Sequence, residues 1–264
     1  MIDELLKGCF RMPSPKNPRH WFVADWLVST EVELLESEGA TPRGIAVIDE
    51  LNTMYARTGA LNPIRTKVVS AVHNMFHAGQ KNVAVLEVGA RDGALLRTIG
   101  EDLADAERPV SLHGTESRQN LVDLARTRSI GSGLQTDYSV SKDGRLDRFS
   151  DGTFDIVFSA FMLHHCSGPN LLGALTECNR VSRGWVFHLD LERSLGGVIG
   201  LWLTYTLLGA RLSRHDAVLS CRRSMRRKEI AQRLAEVDPT HPARVRRVSP
   251  FRWCSETLIS NAKP

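Results

Sequence analysis
Aromatic residues are sparse in this chain, at 6% of 264 positions. Its five cysteines, at 9, 166, 178, 221 and 254, form no CxxC pair and leave one over. That pattern argues against a disulfide scaffold or a zinc site and for reduced thiols in a cytoplasmic protein. No apolar run reaches the roughly 20 residues of a bilayer span; the longest approach is Leu195 to Ala210. Stable membrane insertion is therefore not expected. The start, MIDELLKGCF, lacks the basic–apolar–small order of a signal peptide. There is no internal repeat and no low-complexity tract. The net charge of +4 is too mild to call for a nucleic-acid partner by itself.

What is present is ordinary globular material, 42% hydrophobic and 24% charged. It suffices for a full core without staples. Residues 1–80 carry helical patterns and no clear strand, so they read as a small helical cap. PSPKNPRH (13–20) is a proline-broken loop, Pro42 can open a helix near Arg43 to Leu51, and Asn62-Pro63 can open another through Met75. Trp21, Phe22 and Trp26 would anchor the cap or close a pocket from that side.

From residue 82 the pattern changes. NVAVLEV (82–88), VSLHGTE (110–116), Phe154 to Ala160 and Trp185 to Leu191 have the composition of buried strands. Helical stretches at Ala94–Asp105, Asn120–Thr127 and Leu171–Val181 separate them. Alternation at this spacing predicts an α/β fold, a doubly wound Rossmann-like sheet over residues 81–264. Residues 196–210 would form a helical lid in an insertion at about 195–233. Residues 243–253 could form an edge hairpin.

The first strand runs into Glu87-Val88-Gly89-Ala90-Arg91-Asp92-Gly93 and then a helix. A glycine turn there lets a ligand approach the backbone. The second strand ends at Glu116, about 20 residues on, where an acid can accept from two ribose hydroxyls. The spacing of EVGARDG is not the GxGxxG of nicotinamide dehydrogenases.

VLEVGARDGALL, HGTESRQNLVDLAR and DGTFDIVFSAFMLHH resemble, in order and spacing, the signature segments of class I S-adenosylmethionine-dependent methyltransferases. The likeness is greatest to the quinone methyltransferase subgroup, and it covers about residues 80–192. It implies S-adenosylmethionine as cofactor, held by Glu87, Gly89, Ala90, Arg91 and Gly93 of the loop and by Glu116 and Ser117. It further implies Asp137 and Tyr138 near the adenine, and Ser159, Ala160 and Phe161 beside the methionine portion. Two departures stand out: Arg91 replaces the loop's middle glycine, and the segment from Asp137 to Phe154 is long. An Arg91 that blocked the pocket would make the chain a non-catalytic cofactor-binding relative. RGIAVIDELN (43–52), LDLERS (189–194) and LSRHDAVLSCRRS (212–224) resemble a bacterial secondary-metabolite subgroup. This second likeness implies a small aromatic or polyketide-like acceptor, methylated at oxygen.

A hydroxyl acceptor benefits from a base. His165 is the expected proton acceptor, with His164, His188 and Asp190 as the other candidates; Asp190 could orient His165 or cap the next helix. The cluster of His164, His165, Cys166 and His188 offers metal-ligand types, but adjacent histidines point apart and no metal is expected. The basic stretch at 211–233 lacks aromatic residues, so it reads as a solvated face and specific nucleic-acid binding is not expected. The rival is an RNA or protein methyltransferase docking through that stretch. A sharper reading of it puts Arg214 or Arg222 on an acidic group of the acceptor. A homodimer is left open.

Overall fold
The computed structural model describes residues 28–29, 31, 33–106, 108–130 and 136–259. Trp21, Phe22 and Trp26 lie outside them. Three helices come first: α1 (Leu34–Glu38), α2 (Pro42–Thr58) and α3 (Asn62–His77). Proline opens α2 at its first position, where the missing N–H costs nothing. Thr41 caps it by accepting from the Gly44 N–H at 3.2 Å, and Gly59 ends it in the left-handed conformation.

The sheet then begins with β1 (Val83–Val88), α4 (Ala94–Asp102), β2 (Val110–Glu116), α5 (Gln119–Ile130), β3 (Thr136–Val140) and β4 (Phe154–Ala160). It continues through α6 (Gly168–Val181), β5 (Ser182–Leu191), α7 (Leu195–Leu207), α8 (Ser213–Arg223) and α9 (Arg227–Val237). It ends in the hairpin β6 (Arg244–Ser249) and β7 (Arg252–Leu258). The strand order is β3-β2-β1-β4-β5-β7-β6. The first five strands are parallel, while β7 runs antiparallel to both β5 and β6.

Alternate strand residues enter opposite cores. Val83 and Val85 pack with α2–α5, α7 and α8; Leu86 and Val88 pack with α6. A third cluster joins α6 and α9 around Trp253. The order reverses at β1, between β2 and β4, which places a crevice at the carboxyl ends of those strands. The basic stretch is not one face but two helices broken at Ser224–Arg226. No helix among the described residues is long and apolar enough to cross a membrane.

One close approach controls the β4–β5 seam. A Cβ on Gly184 would lie 2.4 Å from the Asp155 carbonyl oxygen, where the register of the two strands also shifts. Backbone cannot yield as a side chain can. Gly184→Ala is expected to cost about 1–3 kcal/mol, read as a lower urea midpoint with an unchanged slope; an unmoved midpoint would mean the seam is pliable.

Candidate active site
The loop after β1 is braced from β2. The Thr115 carbonyl accepts from the Gly89 and Ala90 N–H groups, each at 2.9 Å. Glu116 accepts from the Arg91 N–H at 3.0 Å and from the Ser117 N–H and hydroxyl at 2.6 and 2.8 Å. Gly93 is left-handed, and a Cβ there would meet the Tyr138 hydroxyl at 2.3 Å. Arg91 also has a positive φ, 49°. An L-residue pays roughly 1–2 kcal/mol for that conformation. Its guanidinium turns over the Tyr55 ring, 5.2 Å from the centroid. The substitution of the middle glycine thus leaves the cleft open.

That cleft measures about 250 Å³. Gly89, Arg91, Glu116, Ser117, Phe161 and His165 line it, as expected. Met162, Leu121, Ser141 and Asn170 also line it and were not foreseen. Beyond it lies an inner cavity of about 40 Å³ under α7 and α8. Leu35, Arg91, Phe161 and His165 belong to both linings and form the neck between them. Phe161 holds φ at 52°, fixed by its N–H bond to the Leu189 carbonyl, and its ring packs 5.1 Å from that of Tyr55.

Several expected residues sit elsewhere. Asp137 is exposed and faces His113, near the amino end of β3. The ligand edge of a parallel sheet is its carboxyl end, so Ser141 occupies the place expected for Asp137. Tyr138 is buried behind the glycine turn, bonded to Ser129 at 3.0 Å. Glu87, Ala90 and Ala160 line a small void behind the loop, not the cleft. Burial pushes the Glu87 carboxyl up to about 8, so it is mainly protonated at neutral pH. Ser159 and His188 bond each other at 2.8 Å inside the sheet. Burial also pulls His188 down to about 4, and it reaches neither cavity lining. It is a packed, neutral ring rather than a base.

The two histidines after β4 divide their roles. His164 is buried, and its Nδ1 lies 2.8 Å from Asp190, which also accepts the His164 backbone N–H at 3.0 Å. Its Nε2 lies 3.5 Å from Glu33. Burial opposes its charge, but Asp190 and Glu33 prevail and lift its pKa to about 10. Asp190 therefore orients His164, and not the next helix, which Ser194 caps through the Gly197 N–H. His165 is partly exposed, with Nδ1 2.5 Å from Glu36. Burial disfavours the Glu36 carboxylate, yet hydrogen bonds from His165 and Arg223 hold its pKa well below the ordinary range.

Glu33 and Glu36 were not foreseen as site residues. They belong to the acidic run EVELLESE (31–38), whose composition reads as a solvated helix. Glu33, His164 and His165 bring ligand atoms within 4.8 Å of one another. A cation there would have to displace the proton that Asp190 and Glu33 hold on His164.

The charge on His164 has a consequence for stability. A folded pKa raised from 6.5 to about 10 stabilises fully below 6.5, and that stabilisation is lost as pH rises through about 10. The margin of wild type over His164→Gln in urea unfolding is expected to shrink across that window. A constant margin would mean a neutral ring between Asp190 and Glu33.

Residues 85–184 match a family model described as a methyltransferase domain. The Burkholderia ambifaria ubiquinone biosynthesis O-methyltransferase is 28% identical over 146 residues, 54% of this chain and 57% of that protein. The Xanthomonas axonopodis pv. citri enzyme of the same name is 33% identical over 113 residues, 43% of each. The chain thus spans about half the length of the curated relatives it matches. Among solved structures, the plantazolicin methyltransferase BpumL, in complex with a triazolic desmethylPZN analog and SAH, superposes with a TM-score of 0.64. That match is 10% identical and covers 86% of this chain and 95% of that one. The magnesium protoporphyrin IX methyltransferase of Synechocystis PCC 6803 gives 0.54 at 13% identity, covering 80% and 93%. These likenesses bear on the fold alone. With a reversal of strand order at the glycine turn and a domain match over the same strands, residues 85–184 form a methyltransferase domain on the class I fold.

Proposed function
We propose that this protein transfers the methyl group of S-adenosylmethionine to a hydroxyl oxygen of a small aromatic or polyketide-like acceptor. The observation that carries this reading is the neck. An open cleft with a ribose-spaced acid meets an enclosed cavity at a partly exposed, carboxylate-paired histidine. The donor set fits the cofactor: three internal donors reach the Glu116 carboxylate, which has about four lone-pair sites, so capacity remains for a ribose hydroxyl. Leu121 and Met162 offer apolar walls for a purine. When bound, the cofactor supplies an electrophilic methyl on a sulfonium.

The chain's own groups do the rest. An ionised Glu36 makes His165 Nδ1 a donor, so that in the neutral ring Nε2, which faces Glu33 at 3.9 Å, carries the lone pair that takes the acceptor's proton. His164, a cation whose ring lies tilted at 41° with its centroid 4.1 Å from that of His165, favours negative charge developing on the acceptor oxygen. Leu35 and Phe161 exclude water from the neck. Transfer to oxygen also draws on the names of the curated relatives. The rival docking of RNA or protein through residues 211–233 loses support, because Arg223 and Arg227 are engaged with Glu36 and Glu192. The same stretch does not supply the acceptor contacts once expected of Arg214 or Arg222, neither of which lines the inner cavity.

Glu116→Ala should weaken S-adenosylhomocysteine binding by about 1.5–3 kcal/mol, roughly 10- to 150-fold, by calorimetry. Unchanged affinity would remove Glu116 from the cofactor site. His165→Ala should lower turnover by ~10²–10⁴-fold with that affinity intact. A variant that keeps its activity would assign the proton to another acceptor.

A further inference from the structure
The inner cavity holds two guanidinium groups that the mechanism does not use in proton transfer. Arg91 reaches it from the glycine turn, and Arg252 from the start of β7. Among the described residues, neither makes an ion pair with a carboxylate. Arg91 lies over the Tyr55 ring and donates to its hydroxyl. Arg252 donates to the Ser249 hydroxyl at 3.2 Å, while its Nε is buried with no hydrogen-bond partner.

The acids nearby are committed elsewhere. Glu33 accepts from the Ser220 hydroxyl at 2.7 Å and faces His164. Asp216 accepts the Leu34 and Leu35 N–H groups at 3.0 and 3.1 Å. Asp190 holds His164. Asp92, below the turn, takes Arg128 at 2.7 Å, Asn52 at 3.1 Å and Arg97. Glu50 accepts from Ser213. Glu116 takes the Arg91 backbone N–H and the Ser117 groups, and Glu87 is mainly protonated at neutral pH.

Burying one unpaired charge is unfavourable, and burying two of like sign beside each other is worse. The same lining includes Glu33, Asp216, Ser220 and the His164 cation, and it is completed by apolar Leu51, Leu191 and Leu201 and by the phenols of Tyr55 and Tyr205. Burial raises the pKa of both phenols, so they stay neutral and can donate. Two guanidinium groups and two phenols thus converge, beside the His164 cation, on a small space that opens through the neck toward the cofactor cleft; the two carboxylates in its wall, Glu33 and Asp216, are taken up by Ser220 and His164 and by the Leu34 and Leu35 N–H groups.

We propose that the inner cavity is an anion subsite, in which Arg91 and Arg252, flanked by the Tyr55 and Tyr205 hydroxyls, bind a carboxylate carried by the methyl acceptor. The word acceptor rests on the proposed methyl transfer; the anion subsite does not. Guanidinium forks match a planar carboxylate two bonds at a time. The enclosed volume of about 40 Å³ suits such a group, with the ring of the acceptor extending back into the neck.

The test uses the full-length protein saturated with S-adenosylhomocysteine, titrated calorimetrically with 4-hydroxybenzoate and with its neutral isostere 4-hydroxybenzamide. The carboxylate should bind at least tenfold more tightly. Arg252→Met should abolish the preference and Arg252→Lys should retain part of it, with S-adenosylhomocysteine affinity unchanged in both. Equal affinities, or no binding of either compound at millimolar concentration, overturn the proposal, as does an Arg252→Met variant that keeps the preference. If Arg252→Met does not fold, the wild-type pair and Arg252→Lys still decide. A carboxylate preference in a protein that methylates no phenol would sink the methyl-transfer reading and leave the subsite standing. Methylation of neutral phenols with no carboxylate preference would do the reverse.

Discussion
The site depends on one buried carboxylate. Asp190, at the end of β5, grips both the backbone and the ring of His164, which follows β4. The sheet's own ladder stops at Ala160–Leu189, so this side-chain clamp continues the pairing where the backbone cannot. The clamped ring, held positive, then attracts Glu33 from the segment that precedes α1. A single charge in the sheet thereby sets where the loop, the neighbouring His165 and the N-terminal helices lie. Partners of opposite sign on both sides make that buried cation tolerable.

A second constraint is backbone strain at the neck. Arg91 and Phe161 are the two non-glycine residues with positive φ among those described, and both line the two cavities. Each is held by a bond from its own N–H, to Glu116 and to Leu189. Strained positions persist where surrounding structure over-determines them. Here the strain aims an arginine and a phenylalanine at the passage between cleft and cavity, directions an extended backbone would not give them.

Much of this was legible in the sequence. Short apolar runs marked β1, β2, β4 and β5 because buried parallel strands need them, and the turn with Glu116 placed the cleft. Five-residue β3 is not legible, since TDYSV has no apolar run, and without the strand nothing in the sequence shows that Asp137 falls near its amino end. His188 looked like a base because a sequence carries residue type but not depth. Burial lowered its pKa and left it bonded to Ser159. What holds His164 and His165 in their separate places is equally hidden. It depends on Asp190, Glu33 and Glu36, which only the tertiary fold brings to the two rings. Arg252 belonged to a hairpin read as an edge, where arginine ordinarily meets water.

The bonds from Asp216 to the N–H groups of Leu34 and Leu35 span 182 and 181 residues. Contacts so distant along the chain form late, after the local helices and the neighbouring strands. On a ribosome, the glycine turn and the cofactor cleft's sheet edge can emerge and pair before α8 exists. Docking of α1, which brings Leu35 to the neck and Glu36 to His165, must wait for it. Cofactor recognition and acceptor recognition therefore mature at different times in the life of each molecule.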